Sequence, residues 1–137
     1  MKFASVLAVA LFATSIPAYA APQMTAKQIL NTTTTATGQP IAMPSGRLRV
    51  IGSIVVIPPG YAGGYHKHIY PRYAYVLAGT LNVQDKGGAT RHYVTGSAFV
   101  ETIGSWHRAR VQGRAPVRLF VLDQMPQNVQ TNTVQAP

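Results

Sequence analysis

The stretch GYAGGYHKHIYPRYAYVLAG, residues 60–79, carries two histidines at the spacing of alternate residues in a β-strand. Alternate strand residues project from the same face, so we expect His66 and His68 to point into one cavity. Imidazole binds Zn, Cu, Fe, Ni and similar ions, which makes this pair a candidate for a metal site. Two solvated surface histidines would show the same spacing, so the interpretation depends on the rest of the chain.

A second stretch, GSAFVETIGSWH at residues 96–107, supplies a third histidine, His107, and an acid, Glu101. The whole chain contains only three Asp and Glu residues. Ser97, Phe99 and Glu101 share one face of a predicted strand, so Glu101 is expected to point inward with Phe99.

Apolar and β-branched runs, separated by turns rich in Gly, Pro, Asp and Ser, recur along most of the chain. They predict eight short strands, at residues 47–57, 65–68, 72–77, 80–84, 89–95, 97–101, 107–112 and 117–123. Turn signals roughly 8–12 residues apart, without a convincing helical pattern, are typical of an all-β sandwich or barrel. The predicted fold class is therefore all-β, in a single domain.

The first stretch resembles the first sequence motif of the cupin superfamily, glycine-x5-H-x-H-x3or4-E-x6-glycine. Gly60, His66, His68 and Gly79 fall at the spacing of that motif, and Arg72 stands where the motif has Glu. The resemblance covers about residues 47–125 and implies a cupin-type jelly-roll β-barrel of the small, single-domain kind.

The second stretch is similar to the second cupin motif. Gly96, Gly104 and His107 match it, whereas Thr102 and Val111 replace its Pro and Asn. In metal-binding cupins the ion is bound by the two histidines and the Glu of the first motif and by the histidine of the second. The resemblance therefore implies that His66, His68 and His107 bind a divalent metal ion, which would be Fe, Mn, Ni, Cu or Zn.

Arg72 is the main departure from the cupin pattern, because a guanidinium stays protonated and has no acceptor with which to bind a cation. Three explanations are open. The three histidines can bind the ion alone while Arg72 grips a ligand carboxylate through a bidentate fork. Glu101 can substitute as a ligand or pair with Arg72. Alternatively, metal binding has been lost and a basic pocket binds an organic anion directly.

These residues lead to one leading functional hypothesis and one competitor. The leading hypothesis is a metal-dependent binding protein or oxidoreductase, resembling the cupin dioxygenases, that takes a small anionic organic molecule and uses Arg72 and Glu101 as catalytic residues. The competitor is a non-catalytic, metal-free binding protein for a small anion or sugar. Small cupins often dimerise, so a homodimer is expected.

The two ends of the chain differ in composition from its centre. Residues 1–20 show a positive start, an apolar run and the small-x-small pattern Ala18-Tyr19-Ala20, which together predict a cleaved signal peptide and export to the periplasm or medium. The apolar run is too short to span a bilayer, so no membrane insertion is expected after cleavage. Residues 21–46 are predicted to be an arm or linker, residues 47–125 the barrel, and residues 126–137 a flexible tail.

The charge is strongly basic, with 12 Lys and Arg against 3 Asp and Glu and a net charge of +9. Such a balance favours anionic partners. The basic residues are spread along the chain without a nucleic-acid recognition motif, so nucleic acid is not expected as a partner. The chain has no Cys, which excludes disulfides, cysteine-ligated zinc and iron–sulfur clusters.

Overall fold

The computed structural model describes residues 21–137, which are built from β-strands without a helix. The strands are β1 (Leu48–Ile57), β2 (His66–His68), β3 (Arg72–Ala78), β4 (Thr80–Asp85), β5 (Thr90–Val94), β6 (Ala98–Val100), β7 (His107–Gln112), β8 (Val117–Pro126) and β9 (Thr133–Gln135). Within the described part of the chain, no helix has the length and apolar character needed to cross a membrane. The predicted signal peptide at residues 1–20 lies outside the described residues.

The strands form two sheets, ordered β1-β8-β3-β6 and β5-β4-β7-β2-β9. Every pair of named strands is antiparallel, and the chain crosses repeatedly from one sheet to the other, as in a jelly roll. The expectation of an all-β jelly roll is confirmed. All eight predicted strands are present, with ends that differ from the prediction by at most three residues.

The two sheets enclose an apolar core. Residues of β8 alternate between buried and more exposed, because successive strand side chains point to opposite faces of the sheet. The buried core consists of Ile57, Ala74, Val76, Leu81, Val83, Phe99, Val117, Leu119 and Val121. At one end of the interior the buried or half-buried inward positions hold polar side chains instead, namely His66, His68, Arg72, Glu101, His107 and Asp123. This polar end contains the candidate site.

The outer faces of the two sheets differ in polarity. On the first sheet β1 and β8 expose apolar side chains, and Ile54 lies directly opposite Phe120. Val50, Ile54, Val56 and Phe120 are 55%, 55%, 58% and 40% exposed. An exposed apolar patch of this kind is typical of a surface that another protein covers.

The C-terminal residues correct the expectation of a flexible tail at residues 126–137. Thr133–Gln135 form β9, which pairs with all three residues of β2. Just before it, Asn132 is 2% exposed, and its side-chain oxygen accepts hydrogen bonds from Ile69 N at 3.0 Å and Tyr70 N at 2.8 Å. Its amide nitrogen donates to Tyr70 O at 3.0 Å and to Asp123 Oδ1 at 2.7 Å. Because buried polar groups require partners, this polar segment packs on the barrel without an apolar pattern.

The N-terminal arm, residues 21–46, contains no named strand but is attached to the segment that follows Glu101. Gln39 Oε1 accepts hydrogen bonds from Thr102 Oγ1 and Ile103 N, both at 3.0 Å. Gln39 Nε2 donates to Ile103 O at 2.8 Å. Thr102, which replaces the Pro of the second cupin motif, is 2% exposed and uses its hydroxyl for this attachment. The arm therefore supports the backbone beside Glu101.

Replacing Asn132 by Ala is expected to lower the free energy of unfolding by about 2–3 kcal/mol, because it leaves the buried Ile69 and Tyr70 amides without their acceptor. Urea denaturation would measure this change. Asn128→Ala is the matched control, since Asn128 is exposed, and it should change the stability little. Equal stability of the two variants would contradict the anchoring role of Asn132.

Candidate metal centre

Three histidines meet at the polar end of the barrel because of strand register. His66 on β2 lies directly opposite His107 on β7, and His68 follows His66 by one full strand repeat. The ring centroids of the three histidines are 4.6–5.2 Å apart. One ligand nitrogen from each ring lies within 4.8 Å of the others. The expectation that these imidazoles share one cavity is confirmed, and together they can hold a metal ion.

Glu101 brings a carboxylate to the same point. Its Oε2 lies 3.3 Å from His68 Nε2 and 3.2 Å from His107 Nε2. Both nitrogens are buried, and neither makes a hydrogen bond of good geometry with any described residue, so the rings do not aim directly at the carboxylate. Ligands bound to one ion at about 2.0–2.2 Å lie roughly 3.0–3.5 Å from one another. The spacing of these three atoms therefore fits ligands arranged around a common ion.

The position of Glu101 explains how a carboxylate reaches the histidines when residue 72 is Arg. Glu101 follows β6, and its backbone N–H donates to Arg72 O at 2.9 Å across the β3–β6 pair. The acid therefore stands on the strand beside the one where the first cupin motif has its Glu. Of the three explanations for Arg72, the one in which Glu101 takes over as the carboxylate has the support of this geometry.

The outer nitrogens of the histidine rings have hydrogen-bond partners. His107 Nδ1 lies 3.0 Å from Ser105 O, and His66 Nδ1 lies 3.4 Å from Gly64 O. A carbonyl only accepts, so in each neutral ring Nδ1 carries the proton and Nε2 keeps its lone pair. His68 Nδ1 lies 3.3 Å from the Thr133 hydroxyl. Such partners are typical of metal-binding histidines, because they fix the ring and its tautomer.

Burial and mutual charge set the protonation of the site. Burial, followed by the charges of His107 and His68, lowers the pKa of His66 to about 4, so His66 is neutral near pH 7. Burial alone would raise the pKa of Glu101, but His107 and His68 hold it well below the usual range of a carboxyl. Burial lowers the pKa of His107 as well, and the attraction of Glu101 more than offsets this and raises it. An ionised carboxylate beside imidazoles is a suitable ligand set for a divalent ion.

Arg72 does not direct its fork toward the histidines. Its Nε and Nη2 donate to Asp123 Oδ1 and Oδ2, each at 2.7 Å, and the two residues are cross-strand neighbours on β3 and β8. Burial would lower the pKa of Arg72, but its hydrogen bonds to Asp123 raise it. The fork that was expected to grip a ligand carboxylate is therefore occupied by a carboxylate of the chain itself.

The family model for the Cupin domain matches residues 53–123, a range that includes His66, His68, Glu101 and His107. The chain belongs to the cupin family. No curated protein matches the sequence of this cupin.

Solved structures share the fold of this cupin. The DMSP lyase DddQ from Ruegeria pomeroyi DSS-3 matches with a TM-score of 0.53 and 23% identity over 72% of this cupin and 47% of that chain. The oxalate decarboxylase of Lactobacillus farciminis, solved as a formate complex, has a TM-score of 0.52 and 20% identity over 63% of this cupin and 26% of that chain. An oxalate oxidase in complex with the substrate analogue glycolate has a TM-score of 0.52 and 24% identity over 64% of this cupin and 46% of that chain. This cupin spans about half the length of the first of these structures, and at such identities the likeness shows the fold alone.

A cavity of about 230 Å³ opens beside the candidate metal centre of this cupin. His66, Arg72, Glu101 and His107 line one end, and most of the remaining wall is apolar. Tyr61 and Pro58 also line it, and the Tyr61 ring lies over Gly63, where only a residue without a side chain leaves room for it. The cavity is smaller than the roughly 300–1,000 Å³ of drug-binding pockets, so its ligand is small.

Sequence reasoning missed three residues around the site. Asp123 has the strand parity of Val117, Leu119 and Val121, so the alternation of β8 was a signal that its carboxylate points inward. No comparable signal exists for Asn132 or Thr133, because they lie in a polar stretch without periodicity.

Proposed function

We propose that this cupin binds one divalent metal ion through His66, His68, His107 and Glu101, and that the ion and the adjoining cavity take a small anionic organic ligand. The observation that carries the proposal is the convergence of two buried, unpartnered imidazole nitrogens on one carboxylate oxygen at 3.2–3.3 Å. Orphaned buried nitrogens are costly unless a ligand or ion satisfies them.

The proposed chemistry divides between the metal and the residues of the chain. A bound Fe, Mn, Ni, Cu or Zn ion would supply a Lewis acid that polarises a ligand oxygen, and Fe, Mn or Cu would also serve an oxidoreductase or dioxygenase reaction. Ser105 O, Gly64 O and Thr133 Oγ1 hold the imidazoles in place. Arg72, through its fork to Asp123, keeps β3 against β8 and places its charge at the cavity wall.

We further propose that the protein is exported and works as a homodimer. Export is supported by the signal-peptide pattern at residues 1–20. A dimer is supported by the apolar outer face of the first sheet, where Val50, Ile54, Val56 and Phe120 are exposed side by side.

Glu101→Gln tests the proposed ligand set, because it keeps the shape of the side chain and removes its charge. We expect the affinity for Mn²⁺ or Zn²⁺, measured by titration against a chelator, to fall at least about tenfold. Asp85 and Asp123 both pair with arginines, so neither offers a neutral control, and thermal unfolding of the variant must show that it is folded. A folded Glu101→Gln protein that binds metal as tightly as wild type would contradict the role of Glu101.

A further inference from the structure

The cavity beside the metal centre has two chemically different ends. His66, Arg72, Glu101 and His107 form the polar end. The opposite wall is made of aliphatic side chains from both sheets, among them Ile57, Leu81, Val83, Ala109, Leu119 and Val121. A ligand that fills this space therefore meets charge at one end only.

Beyond the polar end, Tyr61 is the one lining residue that carries a polar side-chain group. A second charged or hydroxyl group on the far side of a ligand would lose water without gaining a hydrogen bond, which is unfavourable. The aliphatic wall instead favours methylene and methyl groups. Dianions and sugars fit this wall poorly.

Charge balance at the polar end points to a ligand with a single negative charge. Arg72 and Asp123 neutralise each other through their two hydrogen bonds. Glu101 is ionised and His66 is neutral near pH 7, so a divalent ion would leave the centre with an excess of one positive charge when the imidazoles are neutral. One carboxylate would cancel this excess, whereas a second would remain unbalanced.

We infer that the site takes a small monocarboxylate with a short apolar tail, whose carboxylate lies at the histidine end and whose tail lies against Leu81, Val83 and Leu119. This inference rests on the proposed metal site and names the class of its ligand. It differs from the general expectation of an anion, because it excludes dicarboxylates and sugars as preferred ligands.

The inference is tested with tag-free protein loaded with Co²⁺, whose content is first measured by elemental analysis. Acetate, butyrate and succinate are then titrated calorimetrically, with the visible Co²⁺ spectrum as a second readout. Each buried methylene strengthens binding by about fourfold, so butyrate is expected to bind about tenfold or more tightly than acetate. Succinate has the chain length of butyrate and a second carboxylate, and it is expected to bind at least about tenfold more weakly than butyrate.

Val83→Thr adds a matched change in the protein, since it puts a hydroxyl on the aliphatic wall with little change of shape. It is expected to weaken butyrate at least about threefold and to leave the Co²⁺ content and acetate affinity unchanged. Val94→Thr, at a position that is 57% exposed, is the control and should change none of these values. The wild-type series decides the inference even if Val83→Thr fails to fold.

The outcomes separate the ligand class from the metal site. Co²⁺-loaded protein that binds succinate as tightly as butyrate, or acetate as tightly as butyrate, overturns the ligand class and leaves the metal site standing. Protein that takes up no Co²⁺ overturns the proposed function, and the inference with it.

Discussion

Replacing His68 by Gln is expected to lower the affinity for a divalent metal ion by at least about 100-fold, which is the upper range for losing a mere supporting partner of a ligand. The His68 side chain is fully buried, its Nε2 lies 3.3 Å from Glu101 Oε2, and its Nδ1 lies 3.3 Å from Thr133 Oγ1. Gln retains polarity and approximate size but removes the imidazole nitrogen. Competition with a chelator of known affinity measures the loss.

His92→Gln is the matched control for this substitution. His92 is the remaining histidine of the four in the chain, and its Nδ1 lies 2.7 Å from Asn82 Oδ1 on the outer side of the β4–β5 pair. Its replacement should leave metal affinity within a factor of about two, since it touches none of the proposed ligands. Equal metal affinities of His68→Gln and His92→Gln would contradict the site.

Replacing Arg72 by Met is expected to lower the free energy of unfolding by about 3–5 kcal/mol, because Asp123 would become a buried carboxylate without its cation. Asp123 is 5% exposed and retains only the Asn132 amide as a side-chain hydrogen-bond donor among the described residues. Urea denaturation measures the loss. The same substitution at Arg118, an exposed residue of β8, should change the stability by less than about 0.5 kcal/mol.

The double variant Arg72→Met with Asp123→Asn distinguishes a structural Arg72 from one that holds a ligand. Removing the orphaned charge should restore much of the lost stability, since Asn can still accept the hydrogen bond from Asn132. If Arg72→Met left stability unchanged and weakened only ligand binding, the guanidinium would be a ligand clamp, and our account of it would be wrong.

The features that could be predicted from the sequence are those set by local alternation. The H-x-H pair and the parity of Ser97, Phe99 and Glu101 each depend on the two-residue period of a strand, which places inward side chains without knowledge of the partner strand. The eight strands of the core followed for the same reason. The convergence of His107 with His66 depended on the cupin resemblance, because cross-strand register is not visible in either strand alone.

Long-range pairings of polar groups could not be predicted in this way. Arg72 and Asp123 are 51 residues apart, and only the β3–β8 register places them opposite each other. The anchoring of Asn132 depends on the backbone of the β2–β3 connection, and its own segment shows no apolar pattern. The Thr133 hydroxyl reaches His68 only because that anchor brings β9 beside β2.

The metal content of tag-free wild-type protein is the most direct test of the central claim that three imidazoles and the Glu101 carboxylate form one metal centre. We expect elemental analysis to find roughly one divalent ion per chain after equilibration with Fe, Mn, Ni, Cu or Zn and removal of loosely bound metal. Folded wild-type protein that retains none of these ions would contradict the account.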